Sequence, residues 1–147
     1  PHTTGIWVNN YHPLFHEFPT EYHSNLQWWE LLNNAQVMQF TRFPKGFQPL
    51  VQSIDTWFLN RKIGMLYEAN VLNGKLMMTS MDVTSKPEHR IVARQMYKAI
   101  LDYMNSDQFR PTFNVSPEQI QELFTHVAGE AKSFTKDAPD ELKNKIN

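Results

Sequence analysis

The chain contains no cysteine, which excludes disulfides, thiolate metal sites and a cysteine nucleophile. Glycine is scarce, five in 147 residues, and scattered, so no glycine-rich phosphate cradle can form. Neither charge sign is in excess. Fourteen basic and 15 acidic side chains leave a formal charge of −1, with no basic field to hold phosphates, and nucleic acid is excluded as an expected partner. No apolar run approaches the ~18 residues a membrane helix needs, and no basic-then-apolar leader opens the chain. The first residue is Pro1 instead of Met. The opening reads as internal sequence, and the expectation is a segment of a longer polypeptide.

Aromatic residues, by contrast, are plentiful at 13%, with Trp7, Trp28, Trp29 and Trp57 all in the first half. They suit either a ring-rich core with its indole N–H groups paired at the edge, or a sugar-stacking platform.

The length fits one domain, roughly 100–150 residues. Gly5–Asn9 is a short β-type run closed by Asn9-Asn10, and Pro13 and Pro19 keep the following loop from forming a long helix. Ser24 or Asn25 can cap a helix over Leu26–Asn33 that places Trp28, Trp29 and Leu32 on an apolar face. Strands are expected at Val37–Phe40 and Leu50–Asp55. The strongest unit is a hairpin of Lys62–Val71 and Lys75–Val83 around Leu72-Asn73-Gly74, since Asn-Gly suits the positive φ of a type I′ turn. Both hairpin strands are almost continuously apolar, as strands buried on two faces are. A long helix is expected from Pro87 to about Asn105, with Ile91, Val92, Gln95, Met96, Ala99, Ile100, Tyr103 and Met104 facing inward. Ser116-Pro117-Glu118-Gln119 is a capping box opening a last helix to about His126. From Gly129 the chain turns polar and lysine-rich, which divides it into a domain over 1–128 and a loosely held tail over 129–147. The implied fold is α/β, an open mixed sheet of about five strands with a β-hairpin, flanked by helices.

Chemistry is harder to find. His12, His16 and His23 have a superficial metal-set spacing, but Pro13 breaks the helix that the four-residue interval would need, and no metal or other cofactor is expected. Glu21, Asp55, Glu68 and Asp82 are candidates for a carboxylate pair, with capping and loop hydrogen bonding as the plainer role. No Gly-x-Ser-x-Gly elbow is present. The stretch Phe18–Trp29 concentrates rings, amides, a carboxylate and an imidazole, a mixture that serves either a sugar site or a contact between domains.

Three blocks carry a family resemblance: HPLFHEFPTEYHSNLQWWELL, then PLVQSIDTWFLNRKIGMLYEANVLNGKLMMTSMDV, then RIVARQMYKAILDYMNSDQF. Together they resemble the C-terminal region of Bacteroidetes-type family 2 glycoside hydrolases, or β-galactosidases, over about residues 5–125. In those proteins the region is similar to the second half of a three-layer glutamine-amidotransferase-like α/β domain, downstream of sugar-binding sandwich modules and the catalytic barrel. The amidotransferase cysteine is missing here, and so are the barrel motifs that hold the family's catalytic glutamates, so no residue is expected to be catalytic. The resemblance implies a non-catalytic accessory domain in carbohydrate metabolism, periplasmic or secreted, with the upstream domains of the same polypeptide and a carbohydrate ligand as partners. Glu21, Tyr22, His23, Trp28, Trp29, Asp55, Asn60, Arg61 and Glu68 match its recurrent blocks and become ligand or interface candidates. Two other readings stand beside it. One is a homo-oligomerisation or docking domain, and the other a small stand-alone hydrolase working through paired carboxylates.

Overall fold

A computed structural model of the chain describes residues 5–33, 35–56 and 59–125. The expected tail over 129–147 lies outside the described residues.

Five strands, β1 (Gly5–Val8), β2 (Met38–Gln39), β3 (Val51–Ile54), β4 (Ile63–Val71) and β5 (Gly74–Thr79), form one open sheet, with α1 (Trp29–Leu32), α2 (Ile91–Met104) and α3 (Pro117–Thr125) packed on it. The α/β architecture, the strand number and the hairpin are as the sequence predicts. Pairing between the named strands is antiparallel throughout. Among the described residues the parallel component is one isolated bridge, Asn70 to Asn114.

β4 is the spine. β3 pairs with its first half, Val51 opposite Leu66 and Ser53 opposite Ile63. Beyond that, Asn70 N–H donates to Phe113 O (2.7 Å) and Asn70 O accepts Val115 N–H (2.9 Å). β2 pairs with its start at Gly64 and Ile63, and β5 covers Leu66 to Val71. A bulge between Val51 and Gln52 sets two residues of β3 against three of β4. Its cause is visible at Gly64, where a Cβ would lie 2.7 Å from Val51 O and 2.9 Å from the Pro49 ring. Only glycine allows that approach.

The sheet is covered on both faces. Ile6, Val8, Val51 and Leu66 meet Leu14, Phe15, Trp28, Met96 and Ala99 on one face. Tyr67 and Ala69 meet Phe40, Phe43, Phe47 and Val115 on the other, with Ile120 and Leu123 of α3 against them. This two-sided cover explains why β4 reads as an apolar run. β5 does not follow it: Leu76, Met77 and Met78 are half-buried and Lys75 is exposed, because β5 pairs only with β4.

Several boundaries shift for identifiable reasons. The helix expected over Leu26–Asn33 begins instead as a 3-10 turn over Leu26–Trp28, with Asn25 Oδ1 accepting Gln27 N–H at 3.2 Å. Three residues per turn advance the phase, so Trp28 is fully buried while Trp29 is 71% exposed and Leu31 takes the inward place. α2 starts at Ile91, not Pro87, because its cap comes from elsewhere: Glu30 Oε1 accepts Ala93 N–H (2.9 Å) and Arg90 donates to Glu30 O (3.0 Å). Its buried stripe is Ala93, Met96, Ala99, Ile100 and Tyr103, leaving Ile91, Gln95 and Met104 outside. The hairpin turn is displaced by one residue. Val71 pairs with Gly74, so Leu72 and Asn73 are central, and Leu72 takes the positive φ (52°). The capping box at α3 forms in full, Ser116 N–H to Gln119 Oε1 (2.9 Å) and Gln119 N–H to Ser116 Oγ (3.3 Å).

Candidate functional site

A cleft of about 340 Å³ opens at the meeting of the turn after β1, the middle of β4, the end of α2 and the connection to α3. Asn9, His12 and Pro13 form one wall, Gln48 and Leu50 another, and Gln108, Arg110, Thr112 and Phe113 the third, with Glu68 and Tyr103 between them.

Pairing along β4 fixes which groups reach it. Leu66 and Glu68 project to the α2 face while Tyr67 and Ala69 project to the other, as strand alternation requires. Glu68 therefore meets Tyr103 at the last turn of the α2 stripe, and Tyr103 Oη donates to Glu68 Oε2 at 2.7 Å. Pro13 opens a 3-10 turn over Pro13–His16, and His12 caps it, with Nδ1 accepting Leu14 N–H at 3.4 Å. In the neutral ring the proton is then on Nε2, by inference from that contact. Nε2 lies 3.3 Å from Tyr103 Oη and 3.6 Å from Glu68 Oε1. The three groups form a directional chain, imidazole N–H to phenol oxygen and phenol O–H to carboxylate. Burial raises the Tyr103 pKa above its usual value, and the hydrogen bond and negative charge of Glu68 raise it further.

Glu68 keeps Oε1 without a hydrogen bond among the described residues, and so do the side-chain amides of Asn9, Gln48 and Gln108. The cleft's unequivocal charges, Glu68 and Arg110, cancel. A larger cavity of about 430 Å³ lies between β2 and α3. Its polar groups are already occupied: Arg42 Nη1 pairs with Glu122 Oε1 at 2.7 Å, and the Gln119 amide donates to Arg42 O.

The nine residues named from the sequence fall in four places. Glu68 alone lines the cleft. Glu21, Tyr22 and His23 lie exposed alongside β1, where Val8 N–H donates to Tyr22 O (2.9 Å) and His23 bridges Trp7. Trp28 is core, packed on Phe15 and Phe18 with its indole N–H donated to Thr20 Oγ1 at 2.8 Å, whereas Trp29 faces solvent. Asp55, Asn60 and Arg61 share one turn after β3. The Asp55 carboxylate, 4% exposed, accepts Arg61 Nε (2.8 Å), Nη2 (3.1 Å) and backbone N–H (2.9 Å). The Arg61 hydrogen bonds outweigh burial and hold the Asp55 pKa at about 2. Asn60 is exposed with φ +43°, a conformation asparagine tolerates.

The carboxylates do not converge. Opposite Glu68 on the β3 segment is the neighbourhood of Pro49, six residues from Asp55, about 20 Å along a strand. Glu21 lies on a segment beyond β1, three strand spacings or about 14 Å from β4. Glycosidase pairs need about 5–9.5 Å. Nor do the imidazoles converge: His12 lines the cleft, His16 is exposed, and His23 lies against Tyr22 with ring centroids 5.0 Å apart. Among the described residues no group of three or more His, Asp or Glu side chains could hold a metal ion, and no helix is long and apolar enough to cross a membrane.

From the sequence Glu68 is a candidate, whereas His12 belongs only to a discounted metal set and Tyr103 only to a helix stripe. Gln48, Gln108, Arg110 and Thr112 carry no local sequence signal, because each is on a loop. No curated protein matches the chain. Residues 1–125 match the family described as a domain of unknown function, DUF8487, and the chain belongs to that family.

Proposed function

We propose that the chain is a non-catalytic accessory module of a larger carbohydrate-active polypeptide of the β-galactosidase, family 2 glycoside hydrolase kind. The observation that carries the non-catalytic half is the isolation of Glu68. Among the described residues it is the one carboxylate lining the cleft, it is bonded to Tyr103, and Asp55 and Glu21 stand more than a strand-width away. A hydrolase needs a second carboxylate or an activated nucleophile at bonding distance, and among the described residues the cleft offers neither. The carbohydrate half rests on the three resembling sequence blocks, as does the likeness to an amidotransferase-like domain.

Docking within that larger polypeptide is supported by a separate feature. Tyr22, Leu26 and Trp29 are 61%, 88% and 71% exposed, and large apolar side chains of this kind serve as anchors in contacts between domains.

An antibody raised against the chain tests the proposal on the native protein. It is expected to detect a polypeptide much larger than the 17.3 kDa of these 147 residues and to deplete galactosidase activity from the extract. The isolated chain is expected to leave chromogenic glycosides intact. A native species of about the chain's own mass, or turnover by the isolated chain that Glu68→Gln abolishes, overturns it.

A further inference from the structure

We infer that the cleft at Glu68 is a binding site for one neutral saccharide ring; the choice of a saccharide among hydroxyl-rich ligands rests on the carbohydrate reading above. The site's chemistry supports it on independent grounds. Glu68 Oε1 accepts no hydrogen bond among the described residues, while Oε2 is fixed by Tyr103 at 2.7 Å. The carboxylate is thus held in one orientation at the cleft lining, with His12 Nε2 3.6 Å from Oε1, beyond hydrogen-bond length, so that Oε1 can accept from a ligand hydroxyl. Around it stand the amides of Asn9, Gln48 and Gln108, each able both to donate and to accept. A hydroxyl does both as well, and matching such groups is what planar amides do best.

Charge narrows the ligand class further. Glu68 opposes an anion, Arg110 opposes a cation, and the two cancel, so a neutral ligand meets no net field. Phe113, half-buried against Phe47 with ring centroids 5.4 Å apart, supplies an apolar wall beside the polar ones, which suits the C–H face of a sugar ring. The volume of about 340 Å³ is at the lower end of the ~300–1,000 Å³ of small-molecule pockets, room for a monosaccharide and not for a long oligomer. Binding there is non-covalent and leaves the ligand unchanged, since among the described residues no second carboxylate lines the cleft with Glu68.

The test is an amide chemical-shift titration of the whole chain with galactose, glucose, mannose, galacturonate and glycerol. A neutral hexose is expected to move the signals of Asn9, Gln48, Gln108 and Thr112 together, with a Kd on the order of 1 mM. Glu68→Gln, which keeps the side-chain shape, is expected to weaken binding at least about tenfold, as loss of a charged acceptor does. Gln48 and Gln108 are exposed, so Gln48→Ala and Gln108→Ala test the site without touching the core, each with a loss of about two- to tenfold. The inference is overturned if no sugar moves these signals, if galacturonate alone does, if glycerol does as well as the hexoses, or if hexose binding maps to the Trp29 surface. Its failure is separable from that of the module assignment. A short native polypeptide that binds hexose in the cleft sinks the assignment alone, and a long galactosidase whose cleft ignores sugars sinks this inference alone.

Discussion

Asp55→Asn isolates the electrostatic lock that closes the turn after β3. The carboxylate accepts three N–H bonds from Arg61 and is 4% exposed. Its pKa falls from 3.8 to about 2, led by the Arg61 side-chain hydrogen bond. At 1.36 kcal/mol per pH unit that lowering is worth about 2.4 kcal/mol as an upper bound. Arg61 is 37% exposed, so water screens the guanidinium side and about 1–1.5 kcal/mol is the better expectation. Because the folded value is depressed, the stabilisation is complete above the unfolded value near 3.8 and is lost as pH falls through about 2. Urea unfolding of wild type and variant between pH 7 and pH 2 reads this out. Above pH 5 the midpoints are expected to differ by about 0.5–1 M, and the gap should close as pH falls from about 4 toward 2. A gap that persists unchanged at pH 2 refutes the reasoning, since the variant would then be reporting packing and not charge.

The two adjacent tryptophans should separate cleanly. Trp28→Ala is expected to cost about 3–5 kcal/mol in thermal or urea unfolding, as removal of a buried ring does, while Trp29→Ala should stay within about 0.5 kcal/mol. Leu72 holds φ +52° on an 82% exposed side chain; Leu72→Gly is expected to stabilise the hairpin by about 0.5–1 kcal/mol, the relieved strain exceeding the entropy cost of glycine. Burial pushes Tyr67 up to about 12, and Tyr103 is raised as well. In an alkaline titration followed by phenolate absorbance, these two of the five tyrosines should stay protonated well above pH 10 until the chain unfolds. The sign follows from the raised folded values: the stability they contribute is complete below about pH 10 and is lost above it. Tyr103→Phe should remove one of the two late-titrating groups.

How much was legible in the sequence depended on whether the signal was local. The Asn73-Gly74 pair located the hairpin, and Ser116 with Gln119 located α3, because both are short-range devices whose partners sit within a few residues. The start of α2 is not legible locally because Glu30, some sixty positions away in the chain, caps it. The phase of Trp28 and Trp29 is ambiguous in the sequence because a 3-10 turn and an α-helix share the same apolar spacing over three residues. The cleft was the least legible part. Its groups come from four separate segments, and only β4 announced itself, so Glu68 could be named without its partners.

The division of β4's edge between β3 and the 113–115 segment has a bearing on the order of folding. The hairpin with β5 closes through two residues and needs little chain search, so it is available early. The first half of β4 then waits for a strand from before it and the second half for a segment that arrives only after α2. Until both have docked, Asn70 and its neighbours expose an open β edge. The nascent chain therefore carries its stickiest surface in its fastest-forming element, and the last segment to zip is the one that seals it.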